Sequence, residues 1–392
     1  MNPDTETVFK PRVLTVFGTR PEAIKLAPVI KELEISPEFC SITVATAQHR
    51  EMLDQVLRLF EIVPDYDLDI MRPRQSLFDV TEKVLHDLRE VFIQEKPDVV
   101  LVQGDTTTTF AAALAAFYLK ISVGHVEAGL RTFNKYQPFP EETNRVLTTH
   151  LADVHFAPTR TAKGNLLKEN IPTDKIYVTG NTVIDALLGV VKVNYIFEHP
   201  ILSKIDFDSK RIILVTAHRR ESWGEPLKNI CEAIGRITKL HPQIEVVFSV
   251  HLNPQVREVA YSLLKDTERV HLIDPLDYEP FVQLMNKSYL VLTDSGGIQE
   301  EVPSLGKPVL VLREVTERPE GVEAGTVRVV GTNTKDIVAE TERLLNDQSE
   351  YKKMARAVNP YGDGKSSKRI VAVLRELLSR NRSNDKVEGK FR

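Results

Sequence analysis

Three carboxylic acids stand where β-rich runs give way to loops or helices: Asp105 in QGDTTTTF, Glu127 in HVEAGLRT and Glu141 in FPEETNR. Positioned carboxylates at such points can take and return protons on a bound ligand. A second group suits an anion. In LTDSGGIQEE the apolar run 289–292 stops at Asp294, and a Ser295-Gly296-Gly297 turn leads into a helix. Free backbone N–H groups and the helix dipole favour negative charge there. TAHRRES places His218 with Arg219 and Arg220 after another strand; GTRPEAIKLAP supplies Arg20 and Lys25, and TERPEG supplies Arg318. Glu301, one turn beyond Gly297, suits the hydroxyls of a ribose rather than a phosphate. The combination suggests a nucleoside diphosphate held by the turn, with sugar chemistry at Asp105, Glu127 and Glu141.

Blander readings compete at each point. Asp105 or Thr106 would cap a helix. Glu142 fits a first-turn helix acid favoured by the dipole, more readily than Glu141 does. The basic residues of GTRPE and TAHRRES would be solvated turns. His251 in VHLNP stands alone after its strand and fits a structural role, and Trp223 fits packing.

The elements that must position these residues alternate along the chain. Strands are expected from Arg12, Ser41, Asp98, Ile121, Lys175, Arg211, Ile244, Val270, Tyr289 and Pro308, with helix-length amphipathic runs between them. Several are apolar on both faces, as central strands of a covered parallel sheet are. The fold class is α/β, with two Rossmann-like doubly wound sheets. RVLTVFGTRPE and RIILVTAHRRE rhyme, and each would open its own sheet. Any βα junction produces some likeness of this kind, so the rhyme alone leaves chance open. A polar, Pro-containing run ends the segment 181–210. The expected division is 1–190, carrying the acids, and 191–365, carrying the anion turn. The remainder, 366–392, is a helix packing back on the first domain and, from Arg382, a disordered tail. Ligands of such sheets bind beyond the strands' carboxyl ends, so the expected site is the cleft between the two domains.

Totals exclude other classes. The 392 residues suffice for two domains, and 42% hydrophobic with 27% charged content is that of a globular protein. A net charge of −4 carries no footprint for nucleic acid. Two cysteines, Cys40 and Cys231, without C-x-x-C spacing argue against a disulfide framework or zinc and fit a reducing cytosol. The N-terminus has no apolar signal region, and the longest apolar run, FAAALAAFYL, is too short to span a membrane. No G-x-G-x-x-G dinucleotide fingerprint follows the first strand, and NPYGDGKSS is not a Walker loop.

FGTRPEAIKLAP, QGDTTTTF, GHVEAGLRT, FPEETNR, TAHRRES, LTDSGGIQEE, PSLGKPVLVLR, TERPEG and NPYGDG together resemble the non-hydrolysing UDP-N-acetylglucosamine 2-epimerase family, across about residues 12–378. The resemblance implies a GT-B-like fold and interconversion of UDP-N-acetylglucosamine and UDP-N-acetylmannosamine through 2-acetamidoglucal. It implies Asp105, Glu127, Glu141 and His218 as catalytic residues. Substrate contacts would be Arg20, Lys25, Phe281, Ser295, Gly296, Gly297, Glu301 and Arg318. It also implies a second, activating site formed by Gln48, His49, Arg74, Arg219 and His251. A homodimer is implied; a metal, NAD or other cofactor is not. Hydrolysing relatives that release free N-acetylmannosamine are the nearest alternative, ahead of a GT-B glycosyltransferase or a non-catalytic nucleotide-sugar sensor. The three acids weigh against the last two.

Overall fold

A computed structural model describes residues 10–47, 50–72 and 74–388. Residues up to Ala186 together with those from Gly362 onward form one compact unit, and Leu187–Tyr361 form a second.

Among the described residues the first unit has seven parallel strands: β1 Arg12–Phe17, β2 Cys40–Ala45, β3 Tyr66–Asp67, β4 Val99–Gln103, β5 Ser122–Val126, β6 Val154–Ala157 and β7 Ile176–Val178. Their order is β3-β2-β1-β4-β5-β6-β7. The second unit has six parallel strands: β8 Arg211–Ala217, β9 Ile244–Val250, β10 Val270–Ile273, β11 Leu290–Thr293, β12 Val309–Val311 and β13 Val327–Val329. Their order is β10-β9-β8-β11-β12-β13. Both are doubly wound. The rhyming strands β1 and β8 hold equivalent places, each beside the point where the winding reverses. Buried Leu14, Val16, Val100 and Val102 pack on Leu88, Phe92 and Ala112 in the first unit; Ile213, Val215, Phe248 and Leu292 pack on Ile230, Ile234 and Ile237 in the second. Trp223 packs against that second core.

Three strands were not expected from sequence. β3 is a two-residue edge, β6 (VHFA) carries a histidine, and β13 (VRV) alternates with arginine. The C-terminal helix Ser366–Glu388 belongs to the first unit, where Asp185 accepts from the N–H groups of Ser366 (3.1 Å) and Ser367 (2.8 Å) and Arg375 pairs with Glu38. It continues past Arg382, where a disordered tail was expected. No Gly or Pro intervenes before Gly389, and each added helical residue gains a hydrogen bond. Residues 389–392 lie outside the described ones. Among the described residues no helix is long and apolar enough to cross a membrane.

His125 and His155 are register partners on β5 and β6, and both are fully buried. Burial lowers their pKa values, to about 4 and about 3. Unfolded histidines protonate near the ordinary value of about 6.5, so below that pH the unfolded chain binds more protons than the folded one. The stability these two rings contribute is therefore present above about pH 6.5 and lost as pH falls toward 4. Two such groups give a slope approaching about 2.7 kcal/mol per pH unit. The urea midpoint should drop steeply between about pH 7 and pH 5; a flat profile across that window would refute the assignment.

Candidate active site

Because each sheet is doubly wound, the loops after β1 and β4, and those after β8 and β11, open at a switch point where ligands of such folds sit. Several candidate residues stand at these loops, while Glu127 follows β5, Glu141 opens the helix before β6 and Arg318 follows β12.

In the first unit, Gly18 follows β1, and Thr19 precedes the helix Arg20–Ile35. Glu22, buried, accepts from the N–H groups of Gly18 (3.1 Å) and Thr19 (2.8 Å) and from the hydroxyls of Thr106 (2.7 Å) and Thr109 (2.9 Å). Burial raises its pKa, against the pull of those hydrogen bonds. Glu22 thus fastens the loop after β1 to the loop after β4. After β4 the chain turns at Gly104, whose φ of +74° favours glycine. Thr106, not Asp105, caps the next helix, accepting from Thr109 N–H at 3.1 Å.

Asp105 is therefore released from capping. Its Oδ2 accepts from Arg145 at 2.6 Å and its backbone carbonyl accepts from Asn144 at 3.0 Å. The side chain keeps 28% exposure. Burial raises its pKa; the Arg145 charge opposes this and the Glu127 charge adds to it. A carboxyl so placed is suited to proton exchange. Glu127 follows β5 with φ +65°, an uncommon conformation for a side chain of this size. Its carboxylate receives Lys25 Nζ at 2.6 and 2.7 Å, Asn181 Nδ2 at 2.8 Å, and the amide of Gln103. Lys25, Asp105 and Glu127 thus form one electrostatic cluster.

Glu141 and Glu142 open the helix Glu141–Leu151. Glu142 is buried and accepts from the N–H groups of Thr132 (3.0 and 3.1 Å) and Phe133 (2.8 Å), so it shapes the long loop as well as being a first-turn acid. Glu141 is half-buried and has no hydrogen-bond partner among the described residues. Arg20, half-buried at the helix start, likewise has none.

In the second unit, β11 ends and Asp294 follows, fully buried. The N–H of Ser295 is taken by Thr293 Oγ1 at 3.0 Å, leaving Gly296 and Gly297 as the N–H donors that open the helix Gly296–Glu301. Two guanidinium groups converge on this turn. A Cβ placed on Gly296 would lie 3.6 Å from Arg318 Cζ and Nη2 and 3.8 Å from Arg219 Nη2. Arg318 is held by Glu300, which is buried. A Cβ on Gly297 would lie 3.9 Å from Glu301 Oε2, and Tyr278 donates to Glu301 Oε1 at 3.5 Å. The His218 ring stacks on His251 with centroids 5.9 Å apart. Phe281 is half-buried in the helix Tyr278–Lys287.

The residues expected to form a second, activating site are drawn from both units. Arg219 adjoins the Gly296 turn, and His251 lies against His218. Arg74 is exposed at φ +61°, and Gln48 and His49 lie outside the described residues. Sequence reasoning passed over Glu22, Arg145, Asn181 and Asp294, whose roles come from partners distant in the chain.

Residues 31–375 match the family described as UDP-N-acetylglucosamine 2-epimerase. The Bacillus subtilis UDP-N-acetylglucosamine 2-epimerase is 58% identical over 365 residues, covering 93% of this chain and 95% of its own. A solved structure of the Listeria monocytogenes protein, described as a putative epimerase of that name, superposes with TM-score 0.90 at 52% identity, over 95% of this chain and 98% of its own. The Neisseria meningitidis UDP-GlcNAc 2-epimerase, solved bound to UDP-GlcNAc, gives TM-score 0.82 at 55% identity, over 93% of this chain and 100% of its own. With that agreement over nearly its whole length, and with two doubly wound units in GT-B-like succession, the chain belongs to the UDP-N-acetylglucosamine 2-epimerase family.

Proposed function

We propose that this protein interconverts UDP-N-acetylglucosamine and UDP-N-acetylmannosamine without hydrolysis. A base takes the C2 proton while the C1–O bond breaks, and UDP leaves with that electron pair. The C1=C2 double bond of 2-acetamidoglucal forms. UDP oxygen then adds back to C1 as a proton is delivered to the opposite face of C2. The chemistry needs acids that differ in state and a firm hold on a detached diphosphate. The observation that carries the reading is the Asp105–Glu127 cluster: one carboxyl with a raised pKa, the other ion-paired to Lys25 at 2.6 Å. Arg219, Arg318 and the Gly296 turn would hold the diphosphate, Glu301 the ribose diol, and Glu141 a further proton-transfer position. The Neisseria relative's UDP-GlcNAc complex supports the choice of nucleotide sugar.

A proton NMR time course with UDP-N-acetylglucosamine alone, in deuterated water, tests this. The manno isomer should accumulate with deuterium at C2. Free N-acetylmannosamine would mark the hydrolysing reaction instead, and no change without an added acceptor would favour a glycosyltransferase.

A further inference from the structure

Asp294 has two oxygens with different tasks. Oδ2 accepts from the backbone N–H groups of His218 and Arg219, each at 2.8 Å, and from Ser222 Oγ at 3.1 Å. Oδ1 lies 2.9 Å from His218 Nδ1. That separation is within hydrogen-bonding range, yet as placed the pair does not complete a hydrogen bond, and Oδ1 has no donor among the described residues. A buried carboxylate oxygen left without a donor is costly enough that a small turn of the ring, closing the bond, is favoured. Burial raises the Asp294 pKa, but the His218 side chain and the N–H groups of Arg219 and His218 outweigh it and hold the carboxyl below its usual range.

We infer that Asp294 is a positioning residue for His218: it binds the Nδ1 proton, fixes the tautomer, and leaves Nε2 as the nitrogen that meets the ligand. This rests on the proposed reading, in which His218 belongs to the site. The same carboxylate fixes the backbone from which Arg219 reaches Gly296. One acid therefore sets both the imidazole's state and the departure point of a phosphate-binding guanidinium. The logic is that of an Asp orienting a catalytic His, where replacement by Asn leaves geometry intact but selects the wrong tautomer.

Asp294→Asn is the test. Its carbonyl oxygen can still receive the two backbone N–H groups, while its NH₂ faces Nδ1 and drives the ring proton to Nε2. Turnover should fall by about 10²-fold or more, with a much smaller change in KM. Nitrogen-15 NMR of histidine-labelled protein at about pH 9, above the ordinary imidazole range, should show Nδ1–H at His218 in the parent and Nε2–H in the variant. His218→Asn identifies the signal. A parent spectrum showing Nε2–H, or a folded variant with unchanged turnover, would overturn the inference. If Asp294→Asn fails to fold, the parent spectrum alone decides. The tautomer is read without substrate, so an inactive parent with Nδ1–H would remove the epimerase reading and leave the Asp294–His218 pairing standing.

Discussion

Asp105→Asn should leave a folded protein whose turnover falls by about 10²–10⁴-fold, the range a positioned general acid or base contributes. The substitution is isosteric, and Thr106 rather than Asp105 caps the following helix, so local structure has little reason to change. What is lost is a carboxyl whose pKa burial raises. If Asp105 acts as a base, activity requires its ionised form. The acid limb of the kcat/KM profile should then sit above the ordinary aspartate range, and rate should be lost as pH falls through that raised value. Glu127→Gln should lower turnover comparably but is less clean. It leaves Lys25 beside an uncharged amide, so stability falls as well. Turnover of Asp105→Asn within a few-fold of the parent's would take Asp105 out of the proton-transfer set.

Gly129→Ala should be among the most destabilising single changes in the first unit. Gly129 has φ +94°, and an added Cβ would lie 2.4 Å from the backbone oxygen of Ala162 and 2.9 Å from its carbonyl carbon. Ala162 sits in the first turn of the helix Arg160–Lys168, and Asn165 of that helix donates to the Gly129 carbonyl at 3.0 Å. The obstacle is backbone on both sides, so no side chain can swing away. Strain at such a φ costs roughly 1–3 kcal/mol and overpacking roughly 1–3 kcal/mol more, a total of about 2–6 kcal/mol. Because the loop also carries Glu127, activity should fall with stability. Gly164→Ala, in the same helix, is the control: nothing lies within 4 Å of its added Cβ, and it should stabilise by about 0.5–1 kcal/mol. Urea midpoints for the two variants should move in opposite directions; equal midpoints would show that the contact with Ala162 yields.

Legibility followed length and periodicity. The long apolar strands such as β4 and β8 are readable because both faces are buried under helices, which leaves no polar alternation. β3, β6 and β13 escaped because they are short and carry Tyr66, His155 and Arg328, whose places are set by neighbours in the sheet rather than by pattern. His155 is buried against His125 only because β6 pairs with β5 in that register.

The sequence by itself determined that Asp105, Glu127, His218 and the Ser295–Gly297 turn stand at strand ends. An abrupt stop in an apolar run followed by a turn is local information. Only the tertiary structure decided what each side chain does there. Glu141 and Glu142 are adjacent and chemically alike, yet Glu142 is consumed by the backbone of residues 132 and 133 while Glu141 is not. Thr106 takes the helix cap and so releases Asp105 to Arg145, 40 residues away. Arg219 and His251 join the anion turn and His218 because β8, β9 and β11 lie side by side, a neighbourhood that no linear spacing encodes. The physical reason is the same throughout. A carboxylate's charge state and availability depend on the donors within about 3 Å, and in a doubly wound sheet those donors come from strands far apart in sequence.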